Sequence, residues 1–202
     1  MPLKTRILNF FRKVLWQIPL WQKQLSLHSK GKVIDHWVCK LLPNHYQFPR
    51  NTNVECERFG LHWRLDLSQL LEWHFYFGIR EVEFELLFKE IRPGQKVLDI
   101  GANFGFPALS LAQFVKPQGH VYCFEPFPAT FEKLQQNVER NRIEGISIFP
   151  IALGDISSTI TMNEVNENNA GQAKVATSQT ANCFQVIQRP LDSFVEEHQL
   201  DR

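Results

Sequence analysis

Two carboxylates and a glycine-containing turn occupy the centre of the chain. The run VLDIGANFGF, residues 97–106, places Asp99 in an apolar stretch, with Gly101 and Gly105 directly after it. Burying an unpaired carboxylate is costly, so Asp99 should bind either the loop or the ammonium group of a ligand. Glu125 ends the next apolar stretch, and a carboxylate about 20 positions after a glycine turn can accept hydrogen bonds from both hydroxyls of a ribose. The pattern predicts a ligand with a ribose and a cationic group.

The same residues are also compatible with purely structural roles. Two glycines occur in turns that bind nothing, and Glu125 before Pro126 could serve only as a charge at a helix N-terminus. A dinucleotide is disfavoured because Asn103 stands where its fingerprint requires a second glycine, and a phosphate loop is ruled out because no Gly-Lys-Ser/Thr follows. S-adenosylmethionine has a ribose and an amino-acid tail but no phosphate, and it therefore suits a glycine turn with two carboxylates.

A parallel sheet would bring these residues together. Residues 96–101, 120–125 and 146–153 are predicted strands, and amphipathic helices separate them along the chain. Strand, helix, strand, helix, strand predicts an α/β fold with a parallel sheet, in which ligands bind at the carboxyl ends of the strands. Residues 156–188 are polar and are expected to add two or three short strands.

The upstream half has a different pattern. Residues 53–67 alternate with period two around Phe59 and Gly60, which predicts a β-hairpin. Residues 3–18 form an amphipathic basic helix, which either packs on its own domain or contacts an anionic membrane surface or a partner. We divide the chain into a basic helical extension, 1–50, and a domain, 51–202. The apolar face of the helix consists of Leu3, Ile7, Phe10, Phe11, Val14 and Ile18.

Charge and cysteine usage narrow the class of protein. The formal net charge is +1, but residues 1–50 hold nine lysines and arginines against a single acid, Asp35. This basic segment contains no recognisable nucleic-acid-binding motif, so no nucleic-acid partner is expected. The four cysteines form no Cys-x-x-Cys pair, and no segment has the roughly 18 uninterrupted apolar residues of a membrane span. We therefore expect no metal site and a cytoplasmic location.

Longer runs extend the pattern around the carboxylates. The runs VLDIGANFGFPALSLA from Val97, FEP at 124–126, FPIALGD at 149–155 and PLDSF at 190–194 occur in this order, and YFGIREVEFE precedes them at 76–85. Together they resemble the FkbM-type S-adenosylmethionine-dependent methyltransferases over roughly residues 54–202.

The resemblance implies a Rossmann-like methyltransferase fold with S-adenosylmethionine as cofactor. It implies that Glu125 holds the ribose, that Phe127 covers the adenine edge, that Asp155 lies near the adenine amino group and that Glu81 closes over the methionine end. The residues alone leave alternatives, because Phe127 could fill the core, Asp155 could belong to a turn and Glu81 could lie on a solvated helix face. The cofactor turn implied by the resemblance consists of Asp99, Gly101, Ala102, Asn103 and Gly105.

The resemblance also implies an incomplete domain. Family members continue into a fourth strand with a Lys-Ile-Asp-x-Glu-Gly type motif, and this sequence stops before it. The three parallel strands would lie in the order 3-2-1, with the first strand at an edge. We therefore expect that the domain is truncated, that another chain supplies the missing half, or that the N-terminal region shields the edge. An exposed edge is also a surface through which the chain can self-associate.

Two functions follow as expectations. The first is O-methylation of a hydroxyl on a sugar or natural product, and the alternative is a catalytically inactive cofactor-binding or interaction module. Methyl transfer is an in-line displacement in which the enzyme mainly aligns donor and acceptor. A general base can assist at a hydroxyl acceptor, and His62, His74 and His120 are available, although a lone histidine is more often structural.

Overall fold

The computed structural model describes residues 3–80, 82–163, 174–175 and 183–200. The chain divides into two compact units. The first comprises Met1–Cys56 and Leu65–Glu85, and the second comprises Glu57–Arg64 and Leu86–Arg202. The domain boundary at residue 50 stays a prediction.

Helices and a hairpin make up the upstream half, as the sequence predicts. The hairpin turns at Phe59 and Gly60, which both have positive φ. The first unit has its own core around Trp73 and Phe77, against which Trp16 and Phe48 pack. The elements are α1 (Leu3–Trp16), α2 (Pro19–Ser29), two 3-10 turns (Cys39–Leu41 and His45–Gln47), β1 (Asn53–Arg58), β2 (Leu61–Asp66), α3 (Leu70–Phe77) and α4 (Val82–Glu90). No helix among these or the later described residues has the length and hydropathy needed to cross a bilayer.

Helix α1 packs on the first unit through its polar face. Arg12 is buried and donates from Nε to the carbonyl oxygen of Lys40 at 2.8 Å. Gln47 donates to the carbonyl oxygen of Asn9 at 3.0 Å, and the Trp16 ring contacts Phe77. The six apolar residues predicted to form one face are therefore left on the outside of this unit, which is the reverse of the usual packing of an amphipathic helix.

A three-stranded parallel sheet forms the centre of the second unit. Its strands are β3 (Lys96–Ile100), β4 (His120–Phe124) and β5 (Ile146–Phe149), in the order β3-β4-β5. Helices α5 (Ala108–Phe114) and α6 (Pro128–Asn141) connect them. This confirms the predicted α/β, Rossmann-like arrangement of the first three parallel strands and the edge position of β3. Within the described residues, β3 pairs only with β4.

The third predicted strand, 146–153, is wrong as a single element. Strand β5 ends at Phe149, and Ile151–Leu153 forms a separate strand, β6. Pro150 between them has no N–H to donate, so the ladder cannot continue through it. Strand β6 joins a second sheet in the order β6-β9-β7-β8, where β7 is Ser158–Asn163, β8 is Lys174–Val175 and β9 is Cys183–Arg189.

The final helix, α7 (Leu191–Glu197), covers one face of the parallel sheet. Phe194 is fully buried, and its ring lies 4.8 Å from the rings of both Phe124 and Phe149. Leu98 and Tyr122 pack against the same cluster. Side chains alternate along a strand, so Asp99 and Cys123, which pair in register, point to the opposite face.

Candidate functional site

The turn after β3 is held to the end of β4 by its backbone. The N–H groups of Gly101 and Ala102 both donate to the carbonyl oxygen of Phe124, at 2.8 and 3.1 Å. Gly101 has φ +85°, and a Cβ added there would meet nothing within 4 Å. Open space therefore adjoins the backbone at Gly101, as a ligand approaching the turn requires.

Gly105 is a different kind of glycine. Its φ is +106°, and an added Cβ would overlap the side chain of Leu109 and lie 3.0 Å from Cδ1 of Leu134. The absent side chain here permits close packing of the turn on helices α5 and α6. The predicted contact of Gly105 with a cofactor stays a proposal.

The two glycines should respond differently to alanine. Gly105→Ala is expected to lower the free energy of unfolding by about 2 kcal/mol, because it combines backbone strain with overpacking. Gly101→Ala should cost only the strain, about 1 kcal/mol. Urea unfolding of both variants measures the difference, and equal losses would contradict the packing role of Gly105.

Asn103 links the turn to Glu125. It has φ +51°, a conformation that asparagine tolerates better than most residues. Its backbone N–H donates to Oε2 of Glu125 at 2.9 Å, and its own side-chain Oδ1 accepts from the N–H of Phe104 at 2.8 Å. The residue that stands in place of a second glycine therefore orients its amide toward the carboxylate.

Glu125 is a buried carboxylate between the turn and helix α6. Oε2 accepts from Asn103, and Oε1 accepts from the N–H of Phe127 at 2.9 Å. Burial raises its pKa, as does the charge of Asp99, while the two backbone hydrogen bonds oppose that rise. Each oxygen accepts one bond here and has a second lone pair for a ligand hydroxyl.

Of the two carboxylates, Asp99 is the one with a buried oxygen, Oδ2, that accepts no hydrogen bond from the described residues. Burial raises the pKa of Asp99 to about 6. The pKa of Cys123, its neighbour in register on β4, is raised by burial and by the charge of Asp99. A buried carboxylate without a partner is costly, and a cationic ligand would satisfy it.

Comparison with protein families identifies the fold that carries this site. The model of the FkbM methyltransferase domain matches residues 99–202, slightly more than half of the chain. The chain belongs to the FkbM methyltransferase family. The match begins at Asp99 and includes the turn, Glu125 and the second sheet.

Several methyltransferases are similar to this chain over short segments. A protein-L-isoaspartate O-methyltransferase of Methanothrix thermoacetophila is 39% identical over 66 residues, which cover 33% of this chain and 30% of that protein. The 31-O-demethyl-FK506 methyltransferase FkbM of Streptomyces tacrolimicus is 43% identical over 56 residues, which cover 28% and 21%. The matched segments thus span less than a third of either relative. The structure of M. jannaschii TYW2 in complex with AdoMet aligns with 50% of this chain and 44% of its own, at 20% identity and a TM-score of 0.40.

The remaining predicted site residues of the FkbM domain lie in different places. Phe127 precedes α6 and is half-buried, with its ring 4.7 Å from that of Phe184 on β9. Asp155 is exposed in the bend after β6. Glu81 lies outside the described residues. The structure therefore brings Asp99, Gly101, Ala102, Asn103, Glu125 and Phe127 to one end of β3 and β4, and their roles toward a ligand stay proposals.

Sequence reasoning missed a polar connection behind the turn. Asn137 on α6 is fully buried, accepts at Oδ1 from the N–H of Arg64 at 3.0 Å and donates from Nδ2 to the carbonyl oxygen of Phe104 at 2.9 Å. One helical turn later, Asn141 exchanges two bonds of 2.7 Å with the backbone of His62. The spacing Thr130, Leu134, Asn137, Asn141 on one helix face was the available signal.

The three histidines considered as candidate bases lie on three different elements. His120 lies at the start of β4, the end opposite to the glycine turn, with Nε2 2.8 Å from Oγ of Ser147. Its pKa is lowered by burial. His74 lies on α3 in the first unit, and His62 is exposed on β2. Within the described ranges, no three His, Cys, Asp or Glu side chains come together as metal ligands.

Proposed function

We propose that this FkbM domain binds S-adenosylmethionine and transfers its methyl group to an oxygen acceptor. The observation that supports this most directly is the buried, unpartnered Oδ2 of Asp99, beside Glu125 and the open space at Gly101. A ligand with an ammonium group and a ribose would supply a cation to the first carboxylate and hydroxyl donors to the second. The residues present therefore fit this cofactor.

The residues of the proposed site have separate roles toward the cofactor. Asp99 would hold the ammonium group of the methionine moiety. Glu125 would accept from the ribose hydroxyls while it keeps its bonds to Asn103 and Phe127. Gly101 would leave the backbone accessible. Phe127 would contact the adenine edge and Asp155 its amino group, as the resemblance implies.

The protein's contribution to the reaction is alignment. S-adenosylmethionine, when bound, supplies a methyl group on a sulfonium, and its displacement needs no covalent intermediate with the protein. Backbone groups that already hydrogen-bond the turn to β4 keep the binding residues in place without reorganisation on binding. A general base for the acceptor is not assigned among the described residues.

The proposed class of methyl acceptor rests on the similarity of this chain to named methyltransferases. The named relatives from Streptomyces tacrolimicus and Methanothrix thermoacetophila both transfer methyl groups to oxygen, as their names state. We infer that the acceptor is a small molecule or glycan hydroxyl rather than a nucleic acid. None of the four cysteines, which all lie in the described residues, forms a disulfide, as a reducing, cytoplasmic location would require.

An inactive cofactor-binding module is the second candidate. The observation in its favour is the free edge of β3, where within the described residues only β4 pairs and Ile100 is exposed. Self-association through this edge, or completion by further chain, would cover it. Methyl transfer by the purified chain to a panel of hydroxyl acceptors separates the two candidates, because an inactive module binds cofactor without turnover.

Cofactor binding is tested through Glu125. Titration calorimetry with S-adenosylhomocysteine should give a measurable Kd for the wild-type chain, and Glu125→Ala should weaken binding by about 1 to 3 kcal/mol, the range for polar groups left unpaired. Glu144→Ala, which removes an exposed glutamate beyond α6, is the matched control and should bind normally. Unchanged affinity of Glu125→Ala would remove Glu125 from the site, and no binding by the folded wild-type chain would refute the proposal.

A further inference from the structure

The methyltransferase site does not explain the exposed apolar face formed by α1 and by Ile18, which follows it. We call it the N-terminal apolar surface. All six of its residues are between 42% and 71% exposed. It consists of Leu3, Ile7, Phe10, Phe11, Val14 and Ile18.

The polar contacts of α1 with the first unit hold this orientation. Arg12 is only 7% exposed and is bonded to both Lys40 and Asn9. Asn9 in turn receives the bond from Gln47, and Trp16 packs between Phe48 and Phe77. Rotating the helix to bury its apolar face would break these contacts and would expose Trp16. The outward orientation is therefore part of the folded structure of the first unit.

Basic residues flank the N-terminal apolar surface. Arg6 and Lys13 lie along one side of it and Lys4 along the other, and all three are exposed. The first acid in the chain is Asp35, so no negative charge in α1 or α2 offsets these cations. The exposed pair Phe10 and Phe11 supplies aromatic rings at the centre of the surface.

We propose that the N-terminal apolar surface lies in the headgroup region of an anionic lipid membrane. A helix with an apolar aromatic face and basic flanks binds in this way by burying the face and attracting anionic headgroups. A second copy of this chain is a poor occupant, because a two-fold contact through this face would bring Arg6 and Lys13 of one copy near those of the other. The proposal is independent of cofactor binding.

Vesicle flotation with the full chain tests the proposal. The wild-type chain should float with vesicles of phosphatidylcholine and phosphatidylglycerol, and binding to phosphatidylcholine alone should be at least about tenfold weaker. Replacing Phe10 and Phe11 together by glutamine, which keeps helix propensity, should reduce binding at least about tenfold. Replacing Arg6 and Lys13 by glutamine should reduce it by a similar factor and only for anionic vesicles, since each charge contributes about fivefold.

Matched controls use equally exposed residues elsewhere. Leu86→Gln with Phe114→Gln removes two exposed apolar side chains of the second unit, and Lys89→Gln with Lys116→Gln removes two exposed charges. Both should bind vesicles as the wild type does. Circular dichroism checks that each variant folds.

Three outcomes would overturn the proposal. The first is that the wild-type chain does not float with anionic vesicles. The second is that the Phe10 and Phe11 replacements leave flotation unchanged. A dimer in sedimentation velocity that these same replacements convert to a monomer would assign the surface to a second copy instead. The assay contains no S-adenosylmethionine, so its result does not depend on the proposed methyltransferase function.

Discussion

The wild-type chain is expected to lose about 3 kcal/mol of stability between pH 4 and pH 7 through Asp99 alone. The pKa of this carboxyl is about 6 in the folded chain, against 3.8 for an ordinary aspartate. Between about pH 4 and pH 6 the folded state therefore holds a proton that the unfolded state has already released, and this stability is lost as pH rises through about 6. Two pH units correspond to about 3 kcal/mol.

Asp99→Asn removes this titration and tests it directly. The difference in unfolding free energy between wild type and variant, measured by urea at several pH values, should change by about 3 kcal/mol across the range, in favour of the variant at high pH. A difference that stays constant with pH would mean that Asp99 titrates normally.

The same variant connects the fold to the proposed cofactor. An ammonium group binds the ionised form of Asp99, so wild-type affinity for S-adenosylhomocysteine should increase as pH rises through about 6. Asp99→Asn should bind more weakly and lose this dependence. Tighter binding at pH 5 than at pH 7 in the wild type would contradict the assignment of the ammonium group to Asp99.

The second large effect is expected at Asn137. Asn137→Ala removes the bond from the N–H of Arg64, which is part-buried, and the buried bond to the carbonyl oxygen of Phe104. The buried bond costs about 1 to 3 kcal/mol and the part-buried one about 1 kcal/mol, so the free energy of unfolding should fall by about 3 kcal/mol. Phe104 follows Asn103, and cofactor affinity should fall as well because the amide of Asn103 orients Glu125.

Asn141 provides the matched control on the same helix. It makes equivalent bonds to His62, but His62 is exposed and water can replace the lost amide. Asn141→Ala should therefore cost about 1 kcal/mol, the value of an ordinary hydrogen bond. Similar losses for the two alanine variants would show that burial of Asn137 contributes nothing.

The parallel sheet and the meeting of the two carboxylates were predictable from the sequence. Apolar strands that alternate with amphipathic helices form a parallel sheet, and the carboxyl ends of its strands meet at one edge. Asp99 and Glu125 end neighbouring strands, so their proximity follows from the strand order alone. The hairpin was predictable for a similar reason, since its period-two pattern and the turn at Gly60 are local signals.

Two features of the second unit were only partly predictable from the sequence. Pro150 was a sign that the third strand would break, but its separation into two sheets depends on the pairing of β6 with β9. Asn137 lies at core spacing on α6, yet only the tertiary structure shows that its side-chain amide hydrogen-bonds the backbone of Arg64 and Phe104.

The sequence alone was enough to predict most of the secondary structure, apart from the division of strand 146–153 at Pro150, and the parallel order of β3, β4 and β5. Hydrophobic periodicity and turn residues act locally, so they can be read along the chain. Only the tertiary structure decided that Gly105 is needed for packing while Gly101 adjoins open space, that Oδ2 of Asp99 is left without a partner, and that α1 turns its apolar face outward. These outcomes depend on contacts between residues far apart in the chain, such as Arg12 with Lys40 and Gly105 with Leu134, which no local pattern contains.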